Sequence, residues 1–329
     1  MDYLVQQKKN LRKTYLLVSI FIFMMGFLGL LIDGLFGVFP FGTIVLLLIA
    51  MVQILVGIGG GALLVLKSVN AKPVDEKIFE HKQLKNIVEE LSIAAGLKTP
   101  PSVYVMEDEN INAFATGFEQ DKSAICVTTG LLKSLNREET EGVVAHEISH
   151  ILNKDTLLMT TISAILGTMV LVQLFAWRLL RSFLWYGGVS SRRSRGGKKS
   201  DGAGYIVLAL LVIALFATLF SFIGRITIFA VSRAREYLAD AKAVELTRNP
   251  KGLANALRKI AKTSLKKGKV KGATIATAHL FISDPLKRSV NNKEGFIADL
   301  FSTHPPIHKR IAILEKIPEE EVLKELQLS

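Results

Sequence analysis

Residues 146–150 read His-Glu-Ile-Ser-His, a spacing that suits a catalytic metal site. On a helix, residues four apart lie on one face, so His146 and His150 can direct imidazole nitrogens at one cation. Glu147 then lies beside the open coordination position, where a carboxylate can take a proton from a water whose pKa zinc lowers to about 7. The pattern predicts hydrolysis of a peptide bond. Ordinary helix residues are the alternative, because three fixed residues also occur by chance.

A catalytic zinc needs a third protein ligand, and the segment 235–240 offers one. Glu236 and Asp240 are again four residues apart and share a helical face. Glu236 can ligate the metal, with a solvated residue paired to a neighbouring arginine as the alternative. Asp240 can accept a hydrogen bond from the far nitrogen of a ligand histidine and so fix its tautomer. Together with the two histidines, Glu236 predicts a site for one Zn²⁺ per chain.

Two stretches of the chain, Val143 to His150 and Arg233 to Asp240, resemble the signatures of the HtpX-like membrane zinc endopeptidases. This family includes the CAAX prenyl protease. Ala278 to Ile282 and Ser302 to Pro306 resemble two further family segments, so the resemblance covers nearly the whole chain. It implies a gluzincin-type proteolytic core and a role in the quality control of membrane proteins.

The resemblance also suggests residues that contact the substrate. The family's substrate strand corresponds to Asn112, Ala113, Phe114 and Ala115. An edge strand there could pair with an extended substrate backbone, and an ordinary core strand is the alternative. His304 could stabilise the oxyanion of the tetrahedral intermediate, or it could be a structural histidine in a proline-rich turn.

Three more residues of these segments have simpler expected roles. We expect His279 to be a packing residue rather than a ligand, and His308 to lie at the surface. Arg310 is expected to pair with an acid near the site, although the sequence does not name that partner.

The hydrophobic residues, half of the 329, gather into four blocks at about 15–32, 41–66, 156–177 and 205–224. Each block can span a hydrocarbon core about 30 Å thick. The first is too long for a cleavable signal and predicts a retained anchor. Its preceding Lys and Arg residues predict an N-terminus in the cytoplasm. The net charge of +12 then fits contact with the lipid bilayer, and no motif indicates nucleic-acid binding.

The order of the blocks predicts a multi-pass α-helical membrane protein with a mainly α, α+β zincin-like metalloprotease domain. Residues 1–66 form a transmembrane hairpin, and 156–224 a second transmembrane pair with a basic loop at 178–204. The catalytic domain is divided between 67–155 and 225–329, and it faces the cytoplasm from the cell membrane. A basic loop outside the cell opposes the usual charge bias, so a hairpin that stays in the cytoplasm is the alternative.

Local patterns in the first catalytic part predict a helix at 80–95 and strands at 102–106, 113–118 and 124–129. Cys126, the only cysteine, falls in the last strand and is expected to be buried. Asn136 is a good N-cap for the helix that carries the histidines. Nothing in the sequence indicates an end of that helix before the third apolar block.

The predicted function is that of a membrane endopeptidase that degrades damaged or misfolded membrane proteins. Its partners are protein substrates and the bilayer. A prenyl-CAAX-type processing protease is one alternative, although that relative typically has more membrane helices. A non-proteolytic membrane scaffold with a relict metal site is the other, and the intact ligand set counts against it.

Overall fold

The computed structural model describes residues 3–117, 120–190, 201–229, 233–266, 270, 280–282 and 305–327. The strands are β1 (Lys72–Pro73), β2 (Ser102–Met106), β3 (Ala113–Thr116) and β4 (Ala124–Thr128). The helices are α1 (Tyr3–Phe36), α2 (Phe41–Ser68), α3 (Phe79–Ala94), α4 (Thr129–Ser134), α5 (Arg137–Leu152), α6 (Asp155–Ser190), α7 (Asp201–Phe229), α8 (Arg233–Thr247), α9 (Pro250–Lys266), α10 (Ile307–Glu315) and α11 (Glu319–Gln327). A mainly helical chain with a small sheet confirms the predicted fold class.

The chain divides into two compact units. Unit 1 comprises Met1–Thr14, Gly57–Thr161 and Ile228–Ser329, and unit 2 comprises Tyr15–Val56 and Ile162–Thr227. Unit 1 contains both segments with the candidate ligands. It also takes in the start of α1, which the sequence assigned to a transmembrane hairpin.

Unit 1 contains a four-stranded sheet with the order β1-β2-β4-β3. The central strand β4 is parallel to β2 and antiparallel to β3, which lies at the edge. Successive side chains of a strand point to opposite faces. Accordingly, Ile125 and Val127 pack into one hydrophobic cluster, whereas Phe114 and Cys126 pack into another. Burial on both faces explains why β4 is a continuous apolar run, and Cys126 is buried as expected.

Helix α5 lies at the centre of unit 1 and contacts α3, α8, α9 and β3. Its N-terminus is fixed by a capping box between Asn136 and Glu139, which confirms the predicted N-cap. Gly142 allows α9 to approach closely, because a Cβ atom there would lie 2.6 Å from the backbone N of Leu253. These four contacts position the histidines of this helix.

The end of α5 differs from the prediction. The helix stops at Leu152 instead of continuing into the third apolar block. Lys154 adopts a φ of 56°, in the left-handed region that a right-handed helix cannot include. The chain therefore turns at this residue before α6 begins at Asp155. The sequence lacks the glycine or proline that usually marks such a turn.

Among the described residues, three helical segments are long and apolar enough to cross a membrane by their length and composition: Lys8–Phe36, Asp155–Trp185 and Gly204–Gly224. The apolar stretch of helix α2, Phe41–Leu55, is shorter. Spanning by the second block therefore stays a prediction.

Two predicted boundaries in unit 2 were wrong. The first apolar block was expected to end at about residue 32, but α1 continues to Phe36. Asp33 therefore lies inside this helix, and its carboxylate accepts hydrogen bonds from the backbone N–H groups of Gly42 (2.6 Å) and Thr43 (3.0 Å). It thus caps the start of α2, a position that favours negative charge. The basic loop was expected from residue 178, but α6 continues to Ser190. Leucine and aromatic residues follow the first arginines of this segment and favour continuation of the helix. Residues 191–200 lie outside the described residues.

Candidate metal centre

Helices α5 and α8 bring the three predicted ligands together inside unit 1. One ligand atom each from His146, His150 and Glu236 lies within 4.8 Å of the others. The two Nε2 atoms of the histidines are 3.2 Å apart. The carboxylate oxygens of Glu236 lie 3.7 Å from His146 Nε2 and 3.5 Å from His150 Nε2. The three side chains thus converge on one point.

These separations fit a tetrahedral metal ion. Zinc bonds of about 2.0–2.1 Å at tetrahedral angles place neighbouring ligand atoms about 3.4 Å apart. The 3.2 Å between the two Nε2 atoms is close to that value, as are the 3.5 and 3.7 Å from these atoms to the two different oxygens of Glu236. Two imidazoles and one carboxylate also leave a fourth position open, as catalytic zinc sites do. The residues present therefore fit the metal that the sequence pattern predicts.

His146 has a carboxylate partner on its far side. Its Nδ1 lies 2.9 Å from Asp240 Oδ1, which is the contact expected for Asp240. Arg310 donates to both Asp240 oxygens, from Nε at 2.8 Å and from Nη2 at 2.7 Å. Burial acts to raise the pKa of Asp240, but the charge of Arg310 and the hydrogen bond of His146 outweigh it and lower this pKa to about 2. Asp240 is thus the acidic partner of Arg310, which could not be identified from the sequence.

His150 also has a carboxylate partner, one that the sequence analysis missed. Its Nδ1 lies 3.0 Å from Asp155 Oδ2. Asp155 Oδ1 accepts hydrogen bonds from Asn10 at 2.7 Å and from Arg235 at 3.3 Å. The available signal was an acidic residue five positions after His150, at the head of an apolar block. In the sequence, this residue marks only the boundary between the catalytic segment and the third apolar block.

The pKa values of the two histidines are shifted in opposite directions. Burial, followed by the charge of Arg310, lowers the pKa of His146 and favours a neutral ring. Burial acts in the same direction on His150, but the hydrogen bond with Asp155 and the charge of Glu236 outweigh it and raise this pKa to about 9. A metal ion would compete with that proton, since a histidine must be neutral to be a ligand.

Glu147 lies in the same pocket as the three candidate ligands and is only 1% exposed. Burial raises the pKa of its carboxyl to about 7, against the opposing charge of His150. The backbone of Ala115 on β3 donates a hydrogen bond to Glu147. The structure therefore brings the predicted base, the predicted ligands and one residue of the predicted substrate strand to one pocket.

The predicted substrate strand is more enclosed than expected. Asn112, Ala113, Phe114 and Ala115 are all buried, and β3 is the edge of the sheet. The backbone oxygen of Ala113 accepts a hydrogen bond from Ile282 N at 2.9 Å. Phe114 forms an isolated bridge with Phe281, and their ring centroids are 4.8 Å apart. This part of the edge is already paired within the chain, and Ala115 is the member that lines the pocket.

The remaining predicted residues divide into two groups. His304 and His279 lie outside the described residues. His308, which was expected at the surface, is partly buried, and its side chain is 13% exposed. Its Nε2 is 2.9 Å from Glu319 Oε1. Helix α11, whose first turn is acidic, contacts α10.

Comparison with known proteins agrees with this arrangement. The profile of peptidase family M48 matches residues 79–318. A protein named protease HtpX homolog from Thermoanaerobacter pseudethanolicus is 39% identical over 94% of this chain and 96% of that protein. One from Caldanaerobacter subterraneus subsp. tengcongensis is also 39% identical over the same shares. A homolog from Ligilactobacillus salivarius is 38% identical over 94% of this chain and 98% of that protein.

A crystal structure of S. mikatae Ste24p matches with a TM-score of 0.48 and 17% identity, over 95% of this chain and 65% of that one. Because this likeness is weak, the assignment depends on the sequence matches, which cover both ligand-bearing helices. The chain therefore belongs to peptidase family M48 and is a membrane metalloprotease.

Proposed function

We propose that this metalloprotease is a zinc-dependent endopeptidase that degrades damaged or misfolded membrane proteins. The observation that carries the proposal is the convergence of His146, His150 and Glu236, whose ligand atoms lie within 4.8 Å of one another, with Glu147 in the same pocket. The names of the relatives support a protease of the HtpX kind. Apolar helices in the same chain as the site favour substrates that are themselves in the membrane.

In the proposed mechanism, His146, His150 and Glu236 hold the zinc ion. When bound, zinc supplies a Lewis acid that polarises the scissile carbonyl and activates a water molecule. Glu147 accepts the proton of the attacking water and returns it to the leaving amine. Asp240 holds the ring of His146 through Nδ1, which leaves Nε2 directed at the other donor atoms.

The substrate backbone would approach along β3 at Ala115. This residue lines the pocket, whereas Ala113 is already hydrogen-bonded to Ile282. Extended peptides commonly bind proteases and other partners by adding a strand to such an edge. Stabilisation of the oxyanion by His304 stays a prediction from the sequence.

Metal content provides the direct test of the proposal. We expect about one zinc per chain, because two imidazoles and one carboxylate suit zinc in number and geometry. A chelator should abolish casein cleavage, and added zinc should restore it. His150→Ala should lose the metal, whereas His81→Ala, the same change on α3, should retain it. A folded and active preparation without any transition metal would contradict the proposal.

Two rival functions make different predictions. A prenyl-CAAX-type processing protease would cleave prenylated C-terminal peptides in preference to casein. A membrane scaffold with a relict site would bind zinc weakly and cleave neither substrate. The intact donor set, with a buried carboxylate beside it, favours a working protease over the scaffold. The prenyl-CAAX-type protease would use the same site, so the preferred substrate distinguishes it from the proposed endopeptidase.

We also propose that unit 1 faces the cytoplasm. Lys8, Lys9, Arg12 and Lys13 precede the first apolar segment, and such residues favour the cytoplasmic side. Reporters fused after Val74 and after Ser329 should therefore both report cytoplasm. A reporter near Gly197 should report the opposite side if the second pair of helices spans. A reporter after Val74 that reports the outside would refute this orientation, whereas a cytoplasmic signal near Gly197 would favour the hairpin alternative.

A further inference from the structure

The turn between α5 and α6 connects the candidate metal centre to the N-terminal helix. Asp155 lies just after this turn and contacts His150 through Oδ2 at 3.0 Å. Its other oxygen, Oδ1, accepts a hydrogen bond from the side-chain amide of Asn10 at 2.7 Å. The residues of this chain of contacts all belong to unit 1.

Asn10 has the properties of a structural anchor and not of a surface residue. It is 0% exposed, although Lys8 and Lys9 beside it on α1 are exposed. Its amide also donates to the backbone oxygen of Asn153 at 2.9 Å. Asn153 and Asp155 flank Lys154, the residue with the left-handed backbone. One neutral amide therefore holds both sides of the turn that brings Asp155 to His150.

The contact between Asp155 and His150 has a clear chemical consequence. A histidine that donates Nδ1–H to a carboxylate has its ring orientation fixed and its Nε2 available for a metal. His150 Nε2 is the atom that lies 3.2 Å from His146 Nε2. Each candidate ligand histidine thus has its own carboxylate, Asp240 for His146 and Asp155 for His150.

We infer that Asp155 is a positioning residue for His150 and that Asn10 holds Asp155 in place. The segment before the first apolar block then has two roles. Through Asn10 it supports the metal centre, and through its basic residues it favours one orientation of the chain in the membrane. This inference depends on the proposed function, because it concerns the affinity of the same site for zinc. Arg235, 3.3 Å from Asp155 Oδ1 and 3% exposed, supplies positive charge beside the buried carboxylate.

Zinc affinity of the full-length protein in detergent tests the inference. The metal-free protein is titrated with Zn²⁺ in competition with a chromophoric chelator. Asp155→Asn should weaken zinc binding by about 10- to 100-fold, as loss of a partner of a ligand histidine typically does. Asn10→Ala should weaken it by about 3- to 10-fold, the range for loss of one or two hydrogen bonds. The control Asn86→Ala, on the exposed face of α3, should leave it unchanged.

Two readouts separate positioning from general damage to the fold. Substituted Co²⁺ has visible absorption bands that depend on ligand geometry, so Asp155→Asn and Asn10→Ala should shift these bands and Asn86→Ala should not. The buried thiol of Cys126 should stay protected from a thiol reagent in every variant that is folded. If Asp155→Asn fails this folding check, Asn10→Ala decides the test.

A double variant tests the order of the contacts. If Asn10 acts through Asp155, the combination of Asn10→Ala and Asp155→Asn should bind zinc about as weakly as Asp155→Asn alone. Independent effects that multiply would overturn the role of Asn10. Unchanged affinity and Co²⁺ spectra in the folded single variants would overturn the whole inference. His150→Ala distinguishes failure of the inference from failure of the proposed function. If His150→Ala retains zinc as the Asp155 and Asn10 variants do, the proposed function fails. If His150→Ala loses zinc and the other variants retain it, only the inference fails.

Discussion

Glu147→Gln is expected to lower the rate of peptide cleavage by at least about 100-fold, the lower range for loss of a positioned general base. Glu147 lines the pocket with the three candidate ligands and is 1% exposed. Glutamine keeps the shape and an oxygen that can accept the hydrogen bond from Ala115. It cannot accept the proton of the attacking water. The substitution should therefore remove the chemical step and leave the structure of the pocket intact.

Two measurements on the same preparation are needed for this prediction. Casein cleavage gives the rate, and elemental analysis gives the zinc content, which should match that of the wild type because no ligand is changed. Glu141→Gln is the matched control, since Glu141 lies on the same helix and pairs with Arg137 at the surface. This control should cleave casein normally. If Glu147→Gln binds zinc and cleaves casein at the wild-type rate, Glu147 is not the base, and His304 is the next candidate.

The three candidate ligands could be predicted because each motif is local. A spacing of four residues places His146 and His150 on one face of any helix, whatever surrounds it. The same holds for Glu236 and Asp240 on α8. Only the convergence of the two helices had to be assumed, and the chemistry of a three-ligand zinc site justified that assumption.

The outer contacts of the site could not be predicted for a physical reason. Asn10 and Asp155 are separated by 145 residues, and their contact depends on the turn at Lys154. Lysine rarely adopts a positive φ, so no local signal marks this turn. The partner of Arg310 is 70 residues away along the chain and is defined only by packing of α10 near α8.

The segment that pairs with the edge of β3, the predicted substrate strand, could not be predicted from the sequence either. Alternation of apolar residues predicts a strand but does not say what pairs with its outer edge. Here the backbone N–H of Ile282, far along the chain, donates to Ala113. Edge strands are often covered by other segments of their own chain, because open edges promote aggregation. Ala115, next to Glu147, is consequently the residue at which substrate pairing should be tested first.

Arg310→Ala is expected to destabilise unit 1 by about 3–5 kcal/mol, the range for removal of one partner from a buried ion pair. Arg310 is 0% exposed and donates two hydrogen bonds to Asp240 at 2.7 and 2.8 Å. Its Nη1 also lies 3.7 Å from Glu236 Oε2. Loss of the guanidinium therefore leaves buried negative charge with less compensation. Arg310→Lys should also be destabilising, because an ammonium group cannot form the planar bidentate pair.

The only cysteine provides a suitable probe of this effect. Cys126 is buried in β4 of unit 1, whereas both tryptophans, Trp177 and Trp185, lie in unit 2 and would report on the wrong part of the chain. Labelling of the Cys126 thiol against urea concentration therefore follows the opening of unit 1. Arg137→Ala is the matched control, since Arg137 forms exposed ion pairs with Glu90 and Glu141. Exposed pairs contribute at most about 1 kcal/mol. Equal labelling curves for the two variants would contradict the prediction.

A second substitution distinguishes uncompensated charge from lost packing. If the destabilisation by Arg310→Ala comes from the buried Asp240 carboxylate, then adding Asp240→Asn should restore part of the stability, because it removes that charge. If it comes from the volume of the missing side chain, the double variant should be no more stable than Arg310→Ala alone. In both cases the double variant should bind zinc more weakly than the wild type, because His146 no longer has an ionised partner at Nδ1. A double variant that recovers stability but not zinc affinity is the result expected if Arg310 balances the charge of Asp240 while Asp240 orients His146.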